Sequence, residues 1–415
     1  MSSEKVIELV STGKNVLLLG PGGCGKTYSL KRIFYSFNPK STFLTATTGI
    51  AAFNICEEAK TLHSFAGVGI GQGTRDDLLG KVISSKWTVK RWKAAKILII
   101  DEISMLGEAF FNKLDYIAKF VRQNELPMGG IQIIASGDFL QLPPVKDEFV
   151  FRSEVWNDLN FEVVRFEEPK RYDDVNWFNT LSRIRIGETS DEDDILLKSR
   201  MDEWNNNRKE ILKADVKPTI LYSKRINVEG YNRKQLDKIN EEEIVFEAFD
   251  YIETKLKTPP SIDIFKKQLE DLIPSVINLK VGAQVMVRRN FPLDPMLVNG
   301  TRGVIVKILD ESVIIKLKCG VEKCINTVMF ELVLGNMSVI RCQIPLTLAW
   351  AATIHKSQGL TIDLALCNIG NEIFEGGQSY VALSRVKNVN GLYLSAYERD
   401  RIFCNDEALE FDKSV

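Results

Sequence analysis

Gly20-Pro-Gly-Gly-Cys-Gly-Lys-Thr27 follows directly on the apolar run Val16-Leu-Leu-Leu19, and the reading of that junction decides the fold. The eight residues fit the pattern G-x-x-x-x-G-K-[ST] between a strand and a helix. In that arrangement a tight glycine-rich turn rings a phosphate with backbone N–H groups, and the helix N-terminus adds its partial positive charge. Gly20, Gly22, Gly23 and Gly25 supply the turn, Pro21 and Cys24 sit between them, and Tyr28 extends the expected nucleotide-binding stretch into the helix. Lys26 then reaches the β and γ oxygens, and Thr27 ligates Mg2+. A glycine-rich turn with no ligand is the plainer alternative. The motif by itself specifies a nucleoside triphosphate and nothing finer.

Further along, Thr42-Phe-Leu-Thr45, Ile97-Leu-Ile-Ile100 and Ile131-Gln-Ile-Ile-Ala135 are short apolar runs separated by helical stretches. Such runs read as buried strands of a parallel sheet with crossover helices, hence an α/β lobe. The Ile97 run ends in Asp101-Glu102. Two acids at a strand end are often only a solvated terminus, but downstream of a phosphate loop they supply a metal-binding carboxylate, Asp101, and a general base for water, Glu102. The Ile131 run leads into Ser136-Gly-Asp-Phe-Leu-Gln-Leu-Pro-Pro144, which places Asp138 and Gln141 at the same sheet edge, where a γ-phosphate sensor belongs.

At 415 residues the chain exceeds one ordinary domain, and 45% hydrophobic with 26% charged residues is the composition of a folded globular chain. Lys+Arg 54 against Asp+Glu 55 leaves a formal charge of −1, which excludes a polycation holding nucleic acid by bulk attraction; such binding would need a local groove. Seven scattered cysteines and only two histidines, His63 and His355, argue against a disulfide framework and a Cys/His zinc site, and point to a reducing intracellular compartment. No apolar run reaches the ~18 residues of a membrane span, and charges interrupt the N-terminal MSSEKVIELV, so neither secretion nor membrane insertion is expected. Residues 176–245 read as helical and charged around an apolar Thr219-Ile-Leu-Tyr222, with Asp191-Glu-Asp-Asp194 as a solvated helix start. From about 280 to 340 the pattern alternates and turns at glycines, which suggests a small β-barrel inserted into a second α/β lobe.

These segments also carry a resemblance. Gly20 to Thr27, Asp101-Glu-Ile-Ser104, Gly129-Gly-Ile-Gln132, Gly137 to Pro144, Leu297-Val-Asn-Gly-Thr-Arg-Gly303, Trp350 to Thr361 and Tyr380-Val-Ala-Leu-Ser-Arg385 occur in the order seen in the petite integration frequency (PIF) DNA helicases, superfamily-one enzymes of the RecD-like 5′-to-3′ subgroup. The resemblance runs from about residue 13 to about 396. It implies an α/β fold of two RecA-like P-loop NTPase lobes, with a small wedge insertion in the first and a small β-barrel insertion in the second. The expected boundaries are a first lobe over 1–168 with the wedge at about 66–93, a second lobe over 169–241 and 341–415, and the barrel over 242–340. The implied activity is an ATP-dependent, DNA-stimulated helicase, with ATP and Mg2+ between the lobes. It would act as a monomer, translocating 5′ to 3′ on single-stranded DNA and unwinding duplex or folded DNA.

Family roles then fall on individual positions. Lys26 and Thr27 take phosphate and Mg2+, Asp101 and Glu102 serve metal and water, and Gln141 senses the γ-phosphate. Arg171 and Arg385 resemble the two arginine fingers, and Gln358 and Gly359 lie on the nucleotide side. DNA contacts are expected from Thr47, Thr48, Gly49, Thr61, His63 and Phe65 on the first lobe, with His63 and Phe65 as stacking partners, and from Thr353, His355 and Lys356 on the second. The wedge would carry Lys81, Lys86, Trp87, Lys90, Arg91 and Trp92, residues that suit an ordinary basic surface helix equally well. One departure stands out: the family's adenine-reading glutamine falls near Ser2 or Ser3, and neither is glutamine. A phosphate-loop ATPase or a nucleic-acid-binding protein without strand separation is the remaining alternative.

Overall fold

The computed structural model describes residues 3–56, 58–254, 261–291, 293–334 and 337–415. Its first half is built on six parallel strands: β1 Val16–Leu19, β2 Thr42–Ala46, β3 Lys60–Thr61, β4 Ile97–Asp101, β5 Gln132–Gly137 and β6 Glu162–Arg165. Their order is β3-β2-β4-β5-β1-β6, with Val16 to Leu19 in register with Ile134 to Gly137 on one side and with Glu162 to Arg165 on the other. Strands β1 and β4 are buried along their whole length because helices cover both faces, which is why β1, and β4 as far as Ile100, read as unbroken apolar runs. The two faces belong to different cores. Leu17, Leu19, Leu98 and Ile100 pack with Phe65, Trp92, Phe111, Phe139 and Trp156, whereas Val16, Leu18, Ile99 and Ile134 continue into residues of the second half such as Leu221, Ile369 and Leu383.

A second parallel sheet is formed by Ala351–Thr353, Thr219–Tyr222, Ala365–Ile369 and Leu392–Tyr397, in that spatial order. The helix Asp191–Ile211 packs against it and starts with a capping box from Ser190 and Asp193. The acidic run is thus a helix start, although Asp193 is buried: it accepts from Arg183 at 2.6 Å and from Thr180 at 2.7 Å. Between the strands of this sheet lies antiparallel structure that, among the described residues, forms three pieces rather than one closed barrel. Five strands run in the order Glu322–Asn326, Ser312–Leu317, Arg302–Ile308, Gln284–Val287 and Leu346–Leu348, three more pair as Val328–Leu334, Met337–Gln343 and Phe249–Thr254, and Val276–Leu279 pairs with Ile244–Glu247. Leu346–Leu348 belongs to this insertion, so the β-rich region passes the expected limit at 340 before the chain re-enters the parallel sheet at Ala351.

Two further expectations are corrected. The C-terminal helix Asp406–Ser414 packs on the first sheet, not the second: the Phe411 ring stacks on Phe151 at 4.2 Å, Ala408 is buried among first-sheet residues, and Glu407 pairs with Arg152. In the expected wedge, the helices Arg75–Ile83 and Lys86–Ala94 lie against the helix Glu108–Arg122. Lys81, Lys86, Trp87 and Lys90 are exposed, but Trp92 is 0% exposed and its indole N–H donates to the Ala66 carbonyl at 3.1 Å. Arg91 is likewise turned inward, donating to the Phe65 and Ser64 carbonyls at 2.6 and 2.9 Å. These two side chains hold the element in place, and Trp92 has no surface to offer DNA. Trp92→Ala should therefore destabilise the first lobe by about 3–5 kcal/mol, the cost of emptying a filled core site. Trp87→Ala, at an exposed position, should leave the thermal unfolding curve followed by circular dichroism unchanged.

Candidate active site

The parallel strands end at one edge, and this edge gathers the loop after β1, the Asp101-Glu102 pair after β4 and Asp138 after β5. The helix Lys26–Ser36 begins at Gly25 in a left-handed conformation without a side-chain cap, so its first N–H groups face the loop unclaimed, the arrangement an anion fills. Lys26 Nζ donates to the carbonyls of Gly20 and Pro21 at 2.6 and 2.9 Å. Thr27 Oγ1 donates to Asp101 Oδ2 at 2.8 Å, while Asp101 Oδ1 accepts from Ser136 Oγ at 2.6 Å and from the Glu102 N–H at 3.0 Å. The two expected metal ligands are thus already paired, and the hydroxyl–carboxylate set is the oxygen chemistry Mg2+ takes. Glu102 has φ +53, a conformation costly for a side chain of this type. Burial, and then the Asp101 carboxylate beside it, raise its carboxyl above the usual range.

Groups from the second half of the chain close on the same loop. The Gly22 N–H donates to the Tyr380 hydroxyl at 3.1 Å, and a Cβ at Gly22 would lie 3.6 Å from Gln141 Nε2 and 3.8 Å from Arg385 Nη2. Tyr380 and Arg385 reach this point because the helix Gln378–Leu383 starts at Gly377, whose backbone lies against first-lobe carbonyls: a Cβ there would sit 2.1 Å from the Gln141 oxygen. Arg385 is buried, donating to the carbonyls of Val381 and Ser357 at 2.7 and 3.1 Å and to Ser384 Oγ at 2.7 Å. Burial, with Arg171 nearby, lowers its basicity to about 10. The backbone N–H groups of Lys170 and Arg171 donate to the Gly23 carbonyl at 2.9 and 3.1 Å, and Tyr172 donates to the Ser384 carbonyl at 3.1 Å. Arg171 Nη1 and both polar atoms of the Gln358 amide are buried without a hydrogen-bond partner among the described residues. The two donors among them, Arg171 Nη1 and Gln358 Nε2, suit the oxygens of a polyphosphate. Sequence reasoning missed Tyr172, the residue after the expected finger Arg171, and Tyr380, which opens the quoted stretch that ends in Arg385.

Beside Gly25 a cavity of about 660 Å³ is lined by Ser3, Glu4, Tyr28, Arg32, Phe166 and Lys170. Tyr28 is 65% exposed there. Ser3 Oγ lies 3.0 Å from Ser29 Oγ, and Ser2 falls outside the described residues.

The expected DNA contacts divide. Thr48, Thr61 and Thr353 each cap a short helix, accepting from the N–H of Ala51, Ser64 and Lys356, and Thr47 donates to the Glu102 carbonyl at 3.1 Å. Gly49 is covered by Leu272 of the insertion, whose Cδ2 lies 2.6 Å from where a Cβ would be. Next to it, a cleft of about 600 Å³ runs between Gly49, Lys60 and Thr61 on one side and Arg289, Met329 and Cys342 on the other. His63 is half-buried and stacks on Phe110 at 4.3 Å, His355 is half-buried, and Lys356 and Gly359 are exposed. Phe65 is the correction: at 1% exposure, packed on Phe43 and Trp92, it has no face to offer a base.

Two family models match the chain, one described as PIF1-like helicase over residues 3–194 and one as the 2B domain of the DNA helicase Pif1 over residues 268–308. The chain is 35% identical, over 98% of its length, to the ATP-dependent DNA helicase PIF1 of Xenopus laevis, of which it covers 62%. To the ATP-dependent DNA helicase Pif1 of Bdellovibrio bacteriovorus it is 32% identical, over 98% of this chain and 90% of that protein. The crystal structure of a Bacteroides sp. Pif1 in complex with ADP-AlF4 matches with a TM-score of 0.81 at 27% identity, covering 99% of this chain and 96% of that one. The chain spans about three fifths of the vertebrate relatives it matches. By sequence along nearly its whole length, and by fold, it belongs to the PIF1-like helicase family.

Proposed function

We propose that this chain is the motor of an ATP-dependent DNA helicase that moves 5′ to 3′ along single-stranded DNA and opens duplex or folded DNA ahead of it. The observation that carries this reading is the convergence on Gly22 of groups from both halves of the chain: Gln141 from the first, Tyr380 and Arg385 from the second. The names of the relatives, and the nucleotide in the Bacteroides complex, point the same way.

In this reading the two parallel sheets are the lobes, and nucleotide binds between them. Lys26 leaves its carbonyls for the β and γ oxygens, and the uncapped N–H groups of its helix take the remaining charge. Thr27 and Asp101 would hold Mg2+, which when bound neutralises phosphoryl charge. Glu102, made more basic by burial, takes the proton of the attacking water. Gln141 faces the γ-phosphate, and Arg171 and Arg385 stabilise charge on the group in transfer. Because these arginines lie beyond the first lobe in sequence, full catalysis requires lobe closure. Tyr28 packs on the base, with Gln358 and Gly359 on the nucleotide side. Thr47, Thr48, Gly49, Thr61 and Thr353, with His63, His355 and Lys356, contact DNA without reading its sequence, once Leu272 gives way at Gly49. The Ser357 carbonyl, one residue from Lys356, accepts from Arg385, which offers strand position a short path to a finger.

Lys26→Ala should abolish nearly all turnover while leaving single-stranded DNA binding intact. A folded variant with parental ATPase would sink the assignment of the loop. Arg171→Ala should lower kcat by ~10³, the scale of an arginine-finger loss, with a smaller change in nucleotide affinity. Equal losses in both, read from steady-state kinetics and nucleotide titration, would count against the two-lobe site. Affinity for single-stranded DNA should be indifferent to sequence and fall steeply between low and moderate salt despite the net charge of −1. Fluorescence anisotropy across a salt series tests this, and a flat response, or ATP hydrolysis that DNA does not stimulate, would favour an ATPase of another kind.

A further inference from the structure

Behind Gln141 a chain of buried charges joins three separate parts of the sequence. Asp138 is 1% exposed; its Oδ2 accepts from Gln141 Nε2 at 3.2 Å, and its Oδ1 from Arg185 Nε at 2.9 Å, with Arg185 Nη2 at 2.8 Å. Arg185 ends the helix Val175–Arg185, which packs on the Tyr380-bearing helix and whose Trp177 indole donates to the Val386 carbonyl at 3.4 Å. The same Nη2 donates to Asp412 Oδ1 at 3.0 Å, and Asp412 sits on the C-terminal helix, with Arg165 of β6 at 3.5 Å from its other oxygen. A guanidinium from the second lobe is thus held between two carboxylates attached to the first sheet.

The charges compel one another. Burial alone would push the Asp138 carboxyl up, but Arg185 and Lys26 outweigh it and hold it below its ordinary value, so Asp138 stays ionised inside the protein. An ionised acceptor fixes which end of the Gln141 amide faces it: one N–H goes to Asp138, and Nε2 keeps its second for the side of the loop. Loss of Arg185 would leave Asp138 buried without the cation that holds it, and loss of Asp412 would leave Arg185 tethered on one side alone.

We propose that Arg185 and Asp412 are positioning residues of the nucleotide site: the C-terminal helix fixes Arg185, Arg185 fixes Asp138, and Asp138 sets the amide of Gln141 toward the γ-phosphate. This rests on ATP hydrolysis at the Gly20–Thr27 loop. It makes the last helix a part of the ATPase machinery, although no atom of that helix borders the loop in the contacts described. The test compares DNA-stimulated ATP hydrolysis and thermal unfolding in the parent, Asp412→Asn, Arg185→Lys, Glu407→Gln, and Gln141→Ala with and without Asp412→Asn. Asp412→Asn and Arg185→Lys should each lower kcat about tenfold, the scale on which an outer partner of an active-site group is felt, with KM for ATP changed by no more than about twofold. Glu407→Gln, which frees the same helix from Arg152 but spares the chain of charges, should keep parental kcat. In the Gln141→Ala background Asp412→Asn should cost no further rate. Unchanged kcat in folded Asp412→Asn, an equal loss in Glu407→Gln, or the full loss repeated without Gln141 would each overturn the proposal. A parent without turnover would sink the ATPase reading and this proposal with it, whereas an active parent with an indifferent Asp412→Asn sinks the proposal alone.

Discussion

The backbone of Gly377 rests on the carbonyls of Leu140 and Gln141 more closely than any side chain would permit, and the site depends on that contact. Gly377 is the point from which the helix bearing Tyr380 departs, with Arg385 just beyond its end. A Cβ at this position would separate the lobes at the place where their polar groups meet. The phosphate loop alone is half a site, with one cation and a ring of amides; the remaining positive charge arrives only because two lobes touch there.

The cations of this site rest on neutral oxygens. Lys26 is bonded to the carbonyls of Gly20 and Pro21, and Arg385 to those of Val381 and Ser357. A polyphosphate bound as proposed would exchange neutral acceptors for charged ones, and a charge-assisted hydrogen bond is roughly twice as strong as a neutral one. An anion there would also offset the two causes that lower the basicity of Arg385, its burial first and the charge of Arg171 second. In the proposed function, binding energy and lobe closure would then have one source.

Much of this was legible in the sequence because its signals are local. A fully buried parallel strand has to be an apolar run, as β1 is and as β4 is up to Ile100, and a phosphate loop has to be glycine-rich within eight residues. The misreadings share a cause as well. Trp92 and Arg91 sit in a basic stretch whose composition matches a surface helix, yet their partners are carbonyls at 64, 65 and 66, and a long-range side-chain bond leaves no trace in spacing. Phe65 looks free beside a capping threonine, and only the packing of Phe43 and Trp92 around it decides otherwise. Asp412 and Arg185 lie far apart in sequence and carry no motif; nothing in either neighbourhood announces that they meet.

The return of the C-terminal helix to the first sheet has a mechanical side. The chain leaves the first sheet after Arg165 and comes back after Tyr397, so two covalent straps connect the lobes where most two-part molecules have one. A body pinned at one point can tumble about it in three ways; pinned at two, it swings like a door about the line through the pins. Sliding and twisting of one lobe on the other are thereby resisted by the chain itself. What two such straps leave free is rotation about the line that joins them.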